Sequence, residues 1–175
     1  MPSLPQFGVK AKPRAMGSMV SVLKSFLAGL AGTLAQMTLS FVKVRLGILP
    51  EFQPYESLQR ALRDATGAAM SPWLAWALTF VNGALIWGFI FARIYTRLPG
   101  RTWLPKGLFF ALCAWVGSGL LLLPFMGLGP FALGAGLGVG PALFMAAGLT
   151  IYSCVMSFAY SALVDDTRVG RSPEA

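Results

Sequence analysis

Four polar side chains lie within long apolar segments, where amides and hydroxyls are costly unless they form hydrogen bonds. These candidate sites for contact with a small molecule are Gln36, Asn82, Thr150 and Ser153. Lipid offers no hydrogen-bond partner, so each group must find one in the protein or in a bound solute. For Gln36 and Asn82 the favoured interpretation is a hydrogen bond between helices. The alternative is that all four residues line a path for a solute.

Cations and aromatic rings alternate between residues 93 and 106, in a pattern typical of the boundary between membrane and water. The group consists of Arg93, Tyr95, Arg97, Arg101, Trp103 and Lys106. Arginine and lysine pair with lipid phosphates, while tyrosine and tryptophan rings favour the headgroup region. We expect this segment to contact membrane lipids. A sharper hypothesis adds that the basic tail of residues 1–19 docks on an acidic partner subunit at the same face.

The apolar segments lack the residue types that support catalysis or metal binding. The chain has no histidine, and its six acidic residues lie outside the predicted spans. It contains no CxxC or HExxH motif, and Cys113 and Cys154 are interpreted as small core residues. The glycine-rich segment 127–140 follows a membrane helix without a Lys-Ser or Lys-Thr pair, which excludes a phosphate-binding loop. We therefore predict no catalytic residue, no metal site, no cofactor and no enzymatic activity.

The segment from residue 107 to residue 164 contains no charged residue and no histidine. A charge at the centre of a bilayer costs at least about 2.5–3.5 kcal/mol, so a segment of this kind indicates a membrane environment. One crossing takes about 20 residues, and the segment divides into spans at 107–125 and 141–163. The glycine-rich turn between them is predicted to be a tight external connection, and the alternative is a re-entrant turn that lines a cavity.

Two further spans are predicted earlier in the chain, at residues 20–44 and 72–95. Between them, Leu58 and Leu62 share one face of residues 55–65, and charged residues occupy the other, which predicts an interfacial helix. The fold class is therefore all-α: an integral membrane four-helix bundle with a short interfacial helix between spans 1 and 2. A basic N-terminal tail, 1–19, precedes the membrane domain, 20–164, and a polar tail, 165–175, follows it.

The distribution of positive charge predicts the orientation of the spans. The net charge is +8, from 14 Lys and Arg residues against 6 Asp and Glu residues. In so apolar a chain this excess indicates orientation and lipid contact rather than binding to nucleic acid. Four spans place both termini and the connection after span 2 on one side, which carries most of the cations. Because cations concentrate in cytoplasmic loops, both termini are predicted to be cytoplasmic.

Three stretches of sequence carry a family resemblance. They are GILPEF at residues 47–52, LPGRTWLPKGLFFALCAW at 98–115, and PFMGLGPFALGAGLG at 124–138, which is followed by Pro141. The chain resembles, over residues 26–160, a family of small bacterial inner-membrane proteins with four spans and no assigned function. The resemblance implies the four-span fold and the inner membrane as location. It supplies no catalytic residues.

Two functions from different classes are compatible with these features. The favoured hypothesis is a non-catalytic accessory or structural subunit that packs, through slim helices, against a larger respiratory or photosynthetic membrane complex. The alternative is a small channel or transporter for a neutral solute. In that case Gln36, Asn82, Thr150 and Ser153 line the path, and the glycine-rich segment acts as a gate.

Overall fold

The computed structural model describes residues 14–67 and 71–169. Throughout these ranges the regular structure is helical, and four helices are long and apolar enough to cross a membrane. We number these spans 1 to 4: Val20–Arg45, Ala77–Ile94, Trp103–Phe125 and Gly140–Val164. The predicted all-α, four-span fold class is confirmed.

The helices that contain spans 1, 3 and 4 extend beyond the predicted apolar segments, whereas the helical segments of span 2 end one residue before the predicted bound. The helical segments are Arg14–Arg45, Pro54–Thr66, Pro72–Val81, Asn82–Trp87, Gly88–Ile94, Trp103–Gly117, Ser118–Leu122, Leu123–Phe125, Pro130–Ala135 and Gly140–Val169. Residues 14–19 and 165–169, which were assigned to the two tails, are therefore helical. An α-helix forms its backbone hydrogen bonds internally, so it continues into polar sequence where hydropathy no longer detects it. The rest of the two predicted tails, 1–13 and 170–175, lies outside the described residues.

A short helix, Pro54–Thr66, links spans 1 and 2, as predicted. We call it the connecting helix. Pro54 occupies its first turn, where a missing N–H costs nothing. Gly67 ends it in a left-handed conformation with φ 68°, and the Gly67 N–H donates to the Arg63 carbonyl oxygen at 2.8 Å. A residue with a Cβ is strained in this conformation, so glycine is the suitable stop signal.

Spans 2 and 3 each contain a π-helical segment, whereas the sequence predicted plain helices. The segments are Asn82–Trp87 and Ser118–Leu122. A π-helix bonds each N–H to a carbonyl five residues earlier, which widens the helix and leaves a carbonyl oxygen free for another partner. In span 2 the Tyr152 hydroxyl from span 4 donates to the Gly83 carbonyl oxygen at 2.6 Å.

Span 4 lies at the centre of the bundle and packs along both span 1 and span 3. Span 2 packs along span 1, and the backbones of spans 2 and 3 approach each other little. Glycine permits the close approaches: a Cβ on Gly29 would lie 2.5 Å from the Ala84 carbonyl oxygen of span 2. A Cβ on Gly107 would lie 3.0 Å from the Ser153 carbonyl oxygen of span 4. The small residues therefore serve packing within the chain.

Rings fill the half of the bundle that lies away from the connecting helix. The aromatic cluster consists of Trp87, Phe91, Tyr95, Phe110 and Tyr160. Phe91 is fully buried at its centre, with ring centroids 5.0 Å from Phe110 and 6.0 Å from Tyr160. These edge-to-face pairs join spans 2, 3 and 4 at this end.

The glycine-rich connection between spans 3 and 4 folds back against span 3. Phe131 and Ala132 both adopt left-handed backbone conformations, with φ 51° and 60°, inside a short 3-10 segment. The Phe131 ring packs on Trp115 at 4.8 Å and faces Gly119, where a Cβ would come within 2.4 Å of the ring. Ala132 is fully buried. The expectation of a simple external connection is therefore wrong, because inserted side chains anchor this segment to span 3.

Candidate functional site: a cavity between the spans

A cavity of about 370 Å³ lies between the four spans, in the half of the bundle next to the connecting helix. This volume falls within the range of small-molecule sites. Both π segments border it, through Asn82 and Gly83 in span 2 and through Ser118 in span 3. Widened helical turns occur frequently at functional sites, and here two of them face the same space.

One wall of the cavity is polar and belongs to spans 1 and 2. Its polar residues are Thr33, Gln36, Ser40, Thr79 and Asn82. Residues 33, 36 and 40 are spaced by three and four, so they share one face of a helix, as do residues 79 and 82. The packing of span 1 against span 2 places these two faces beside each other along the cavity.

The other wall is mostly apolar and belongs to spans 3 and 4. It is formed by Leu121, Leu122, Met126, Phe144, Met145 and Leu149, with the two polar residues Ser118 and Tyr152 among them. The cavity is thus amphipathic across its width. A solute that fits both walls presents a polar side to spans 1 and 2 and an apolar side to spans 3 and 4.

Several of the hydroxyls that line the cavity already donate their proton to a backbone carbonyl oxygen. Thr33 donates to Gly29 at 2.8 Å and Ser40 donates to Gln36 at 3.1 Å. The Tyr152 hydroxyl donates to the Gly83 carbonyl oxygen. The bonds of Thr33 and Ser40 follow the common pattern in which a helical serine or threonine bonds the carbonyl four residues earlier, whereas the Tyr152 bond joins spans 4 and 2.

The side-chain amides of Gln36 and Asn82 differ from those hydroxyls. Within the described part of the chain, neither amide has a hydrogen-bond partner. Asn82 is exposed and Gln36 is half-buried, and both line the cavity. The predicted hydrogen bonds from these amides to neighbouring helices are therefore not formed. The reason is geometric, because both residues border the cavity, where no described side chain of another span lies within hydrogen-bond distance of their amides.

The lining residues that belong to the described part of the chain carry no formal charge. A cation does lie beside one wall: the Lys43 ammonium group is over the rings of Phe52 and Phe144, 5.7 and 5.6 Å from their centroids. Lys43 also donates a hydrogen bond to the Phe52 carbonyl oxygen. Aromatic faces stabilise such an ammonium group when it is removed from water. With a positive charge at its edge and no carboxylate in its lining, the cavity disfavours cationic solutes.

The cavity is closed at one end and covered at the other. Trp87, Ala114 and Tyr152 form its floor, and the aromatic cluster lies beyond them. The connecting helix covers the other end with Pro54, Tyr55 and Leu58. Tyr55 shares a side-chain hydrogen bond with Ser40 of span 1, and burial raises the pKa of the Tyr55 phenol. The connecting helix is thereby attached directly to the polar wall.

The other two residues of the predicted solute path lie elsewhere. Thr150 is half-buried in span 4 and does not border the cavity. Ser153 is fully buried near the contact with Gly107 of span 3. Its hydroxyl has no hydrogen-bond partner among the described residues. The structure thus brings Gln36 and Asn82 to one site and places Thr150 and Ser153 outside it.

The predicted interfacial residues divide between the surface and the core. Arg93, Arg97 and Arg101 are exposed, and the Arg93 guanidinium lies 4.6 Å from the centroid of the exposed Phe89 ring. Tyr95 belongs to the aromatic cluster, and the Lys106 ammonium group lies 3.9 Å from its centroid. Trp103 packs against Phe158 at 5.3 Å, and its carbonyl oxygen accepts a hydrogen bond from Ser157.

Sequence reasoning missed five polar residues of the cavity: Thr33, Ser40, Thr79, Ser118 and Tyr152. The spacing of residues 33, 36 and 40, and of residues 79 and 82, is a signal that could have grouped most of them. Ser118 and Tyr152 have no such signal, because their positions depend on how spans 3 and 4 pack. Among the described residues no group of three His, Cys, Asp or Glu side chains could hold a metal ion.

Comparison with known proteins gives a family and no function. The sequence profile of a family described as a family of unknown function (DUF6789) matches residues 19–170, which include all four spans. No curated protein and no solved structure matches the chain. The cavity is therefore the feature of this molecule that bears most directly on its function.

Proposed function

We propose that this chain, which belongs to the DUF6789 family, is a non-catalytic membrane transporter that binds a neutral, mostly apolar small molecule between its spans. The observation that carries the proposal is the uncharged cavity of about 370 Å³, with an apolar wall and two unpaired amides. Most of its lining is apolar with a few polar groups, as in other small-molecule sites. A charged solute would lose its hydration without a partner of opposite charge.

The floor of the cavity favours a transporter over an open channel. An open channel needs a continuous path, whereas Phe91, Phe110 and Tyr160 fill the bundle beyond the floor. Passage to the opposite end requires these rings to separate. In this conformation the floor separates the binding site from the opposite end of the bundle, as expected of one state in an alternating-access cycle.

A cavity-filling substitution tests the proposal. Gly117 borders the cavity, and a Cβ built on it meets no atom within 4 Å. Gly117→Phe therefore places a ring in the cavity, while Leu120→Phe adds a ring at a position that is 52% exposed on the outside of the same span. The measurement is saturable binding of tritiated 2-ethylnaphthalene to purified protein by scintillation proximity, with excess unlabelled compound as the background.

We expect wild type and Leu120→Phe to bind the probe alike, and Gly117→Phe to lose at least tenfold in affinity. Non-saturable uptake by wild type, or equal binding by wild type and Gly117→Phe, would contradict the proposed function. Thermal unfolding in the same detergent checks that both variants are folded.

An accessory role in a larger respiratory or photosynthetic complex remains a second proposal. The sequence favours this role because small residues on span 1 allow close packing against another helix. Two of these residues, Gly29 and Gly32, contact spans 2 and 4 of the same chain. Purification from native membranes in mild detergent tests this role. Recovery of the chain in a large assembly at constant stoichiometry supports it, and recovery as a small monodisperse species contradicts it.

We also propose that the protein lies in the bacterial inner membrane with both termini in the cytoplasm and with lipid headgroups around Arg93, Arg97 and Arg101. All three cations are exposed and close to one end of the bundle, as expected of contacts to an anionic leaflet. In a variant without Cys113 and Cys154, a cysteine at Glu56 should react with a membrane-impermeant maleimide in intact cells. A cysteine at Arg101 should react only after permeabilisation, and the reverse pattern would invert the topology.

A further inference from the structure

We infer that the ligand of the cavity is an uncharged amphiphile with a carbonyl oxygen at its polar end, bound by the side-chain amides of Gln36 and Asn82. This inference rests on the proposed binding function and adds the chemical class of the ligand. It follows from the hydrogen-bond donors that the cavity leaves unpaired and from the arrangement of its two walls.

The donors in the cavity are unequally satisfied. The hydroxyl protons of Thr33, Ser40 and Tyr152 are all donated to backbone carbonyl oxygens. The acceptor of the Tyr152 proton lies in the π segment of span 2. These oxygens keep lone pairs and can still accept. The amides of Gln36 and Asn82 each carry two N–H groups, and none of these has a partner within the described residues.

An unpaired donor is rarer in proteins than an acceptor that lacks one of its bonds. Each amide also carries an oxygen that can accept, but its two N–H groups can be paired only by an acceptor, so the ligand group that we infer is an acceptor. A carbonyl oxygen has two lone pairs, so one such oxygen can accept from both amides, which come from neighbouring spans. A hydrocarbon without an oxygen leaves both amides unpaired, and a site built to bond a polar group discriminates against such an analogue.

The opposite wall defines the rest of the ligand. Leu122, Met145 and Leu149 face the polar wall across the cavity and offer apolar contacts. Methionine adapts to irregular shapes, so this wall suits a flat or branched hydrocarbon body without demanding one outline. The ligand is thus polar on one side or at one end and apolar elsewhere.

The cavity disfavours a ligand with either a negative or a positive charge. Among the described residues no Asp, Glu, Lys or Arg borders the cavity, so a carboxylate or an ammonium group would be buried without a partner there. Lys43 is not among the lining residues, and its ammonium group is directed to the Phe52 carbonyl oxygen and the Phe144 ring. The ligand class is therefore a ketone, an ester, an amide or a quinone-like ring carbonyl with an apolar body.

A pair of isosteric probes tests the inference. The compounds 2-acetylnaphthalene and 2-ethylnaphthalene share a ring system and nearly the same size, and only the former has a carbonyl oxygen. Binding of both to wild-type protein is measured in nanodiscs, with each affinity corrected for the partition of the probe into lipid. We expect the ketone to bind about tenfold more tightly, which is the size of effect that one or two membrane hydrogen bonds produce.

Two substitutions locate the effect. In the double variant Gln36→Leu and Asn82→Leu, the two probes should bind with equal affinity, and 2-ethylnaphthalene should bind at least as well as to wild type. The matched control Thr150→Val also removes a polar group from a span, but at a position outside the cavity. It should keep the full preference for the ketone. If the double variant binds neither probe, the single variants are compared in the same way, and each should lose part of the preference.

The outcomes separate this inference from the proposed function. Equal binding of the two probes to wild type, or a preference for the ketone that survives Gln36→Leu and Asn82→Leu, overturns the carbonyl site and leaves the binding function intact. Absence of saturable binding for both probes in wild type overturns the binding function and the inference with it.

Discussion

The half of the bundle around Phe91 is filled by interlocking rings, whereas the half beside the connecting helix holds a cavity with unpaired amides. Both halves are made from the same four spans, so a difference in hydropathy does not explain them. The filled half has large rings on three spans that meet at one depth. The cavity half has serine, threonine and glycine on spans 1 to 3 at the corresponding positions.

Irregular backbone is concentrated in the half that holds the cavity. Both π segments border it, and three of the described residues other than glycine have left-handed backbones nearby: Leu49, Phe131 and Ala132. Each left-handed residue with a Cβ costs on the order of 1–3 kcal/mol, and such strain occurs most often at functional sites. The half around Phe91 therefore stabilises the bundle by ring packing, and the half that holds the cavity contains the strained backbone.

Removal of the central ring should produce the largest effect. Phe91→Ala removes a fully buried side chain that contacts Tyr95, Phe110 and Tyr160. The expected loss of unfolding free energy is about 2–4 kcal/mol, below the range for soluble proteins because lipid is as apolar as the core. The measurement is unfolding in mixed micelles of increasing SDS fraction. The control Phe109→Ala lies on the outside of span 3 and should change stability little. Equal losses for the two variants would show that the cluster has no special role.

The same substitution at two glycines should have opposite signs in the two halves. A Cβ on Gly88 would lie 2.6 Å from the Ser25 carbonyl oxygen, so Gly88→Ala should destabilise the protein by about 1–3 kcal/mol through separation of spans 1 and 2. At Gly117, which borders the cavity, a Cβ meets open space. Gly117→Ala should stabilise the protein by up to about 1 kcal/mol, because alanine favours a helix over glycine. Unfolding in mixed micelles measures both. Destabilisation by Gly117→Ala would mean that the cavity half is packed as tightly as the other.

The hydrogen bond at the floor of the cavity should have the smallest effect. Tyr152→Phe removes the donor to the Gly83 carbonyl oxygen and should cost about 1 kcal/mol, near the upper range for single hydrogen bonds in membranes. Tyr160→Phe is the matched control, since its hydroxyl makes no hydrogen bond within the described residues. The two variants are compared by thermal unfolding in one detergent. A loss at Tyr160 as large as at Tyr152 would show that ring packing, and not the hydrogen bond, decides stability at the boundary.

The spans themselves could be predicted from sequence because they depend on local properties. Apolar length identifies a crossing, and Gly67 after an amphipathic segment identifies the end of the connecting helix. Span boundaries were less accurate where helices continue into polar residues, as at Arg14 and Val169. No local signal marks that continuation, since both helix and loop accept polar residues in water.

The cavity could be predicted only in part, because it depends on the rotation of each helix about its axis. As one alternative, the sequence predicted that Gln36, Asn82, Thr150 and Ser153 line one path. Of these four, only Gln36 and Asn82 border the cavity. Helical spacing predicts which residues of one span share a face, and it does not predict which faces of different spans meet. The π segments add a further difficulty, because each one rotates the residues that follow it relative to a regular helix.

The central position of span 4 has a consequence for biosynthesis. A ribosome delivers the spans in order, so spans 1 and 2 can pair through Gly29 and Ala84 as soon as both are inserted. The backbone of span 3 approaches that of span 1 or span 2 little, and its main packing partner is span 4, which packs along spans 1 and 3. The bundle is thus completed by its last-made helix. A nascent chain that stops before Gly140 contains three of the four membrane crossings but lacks the helix that holds them together.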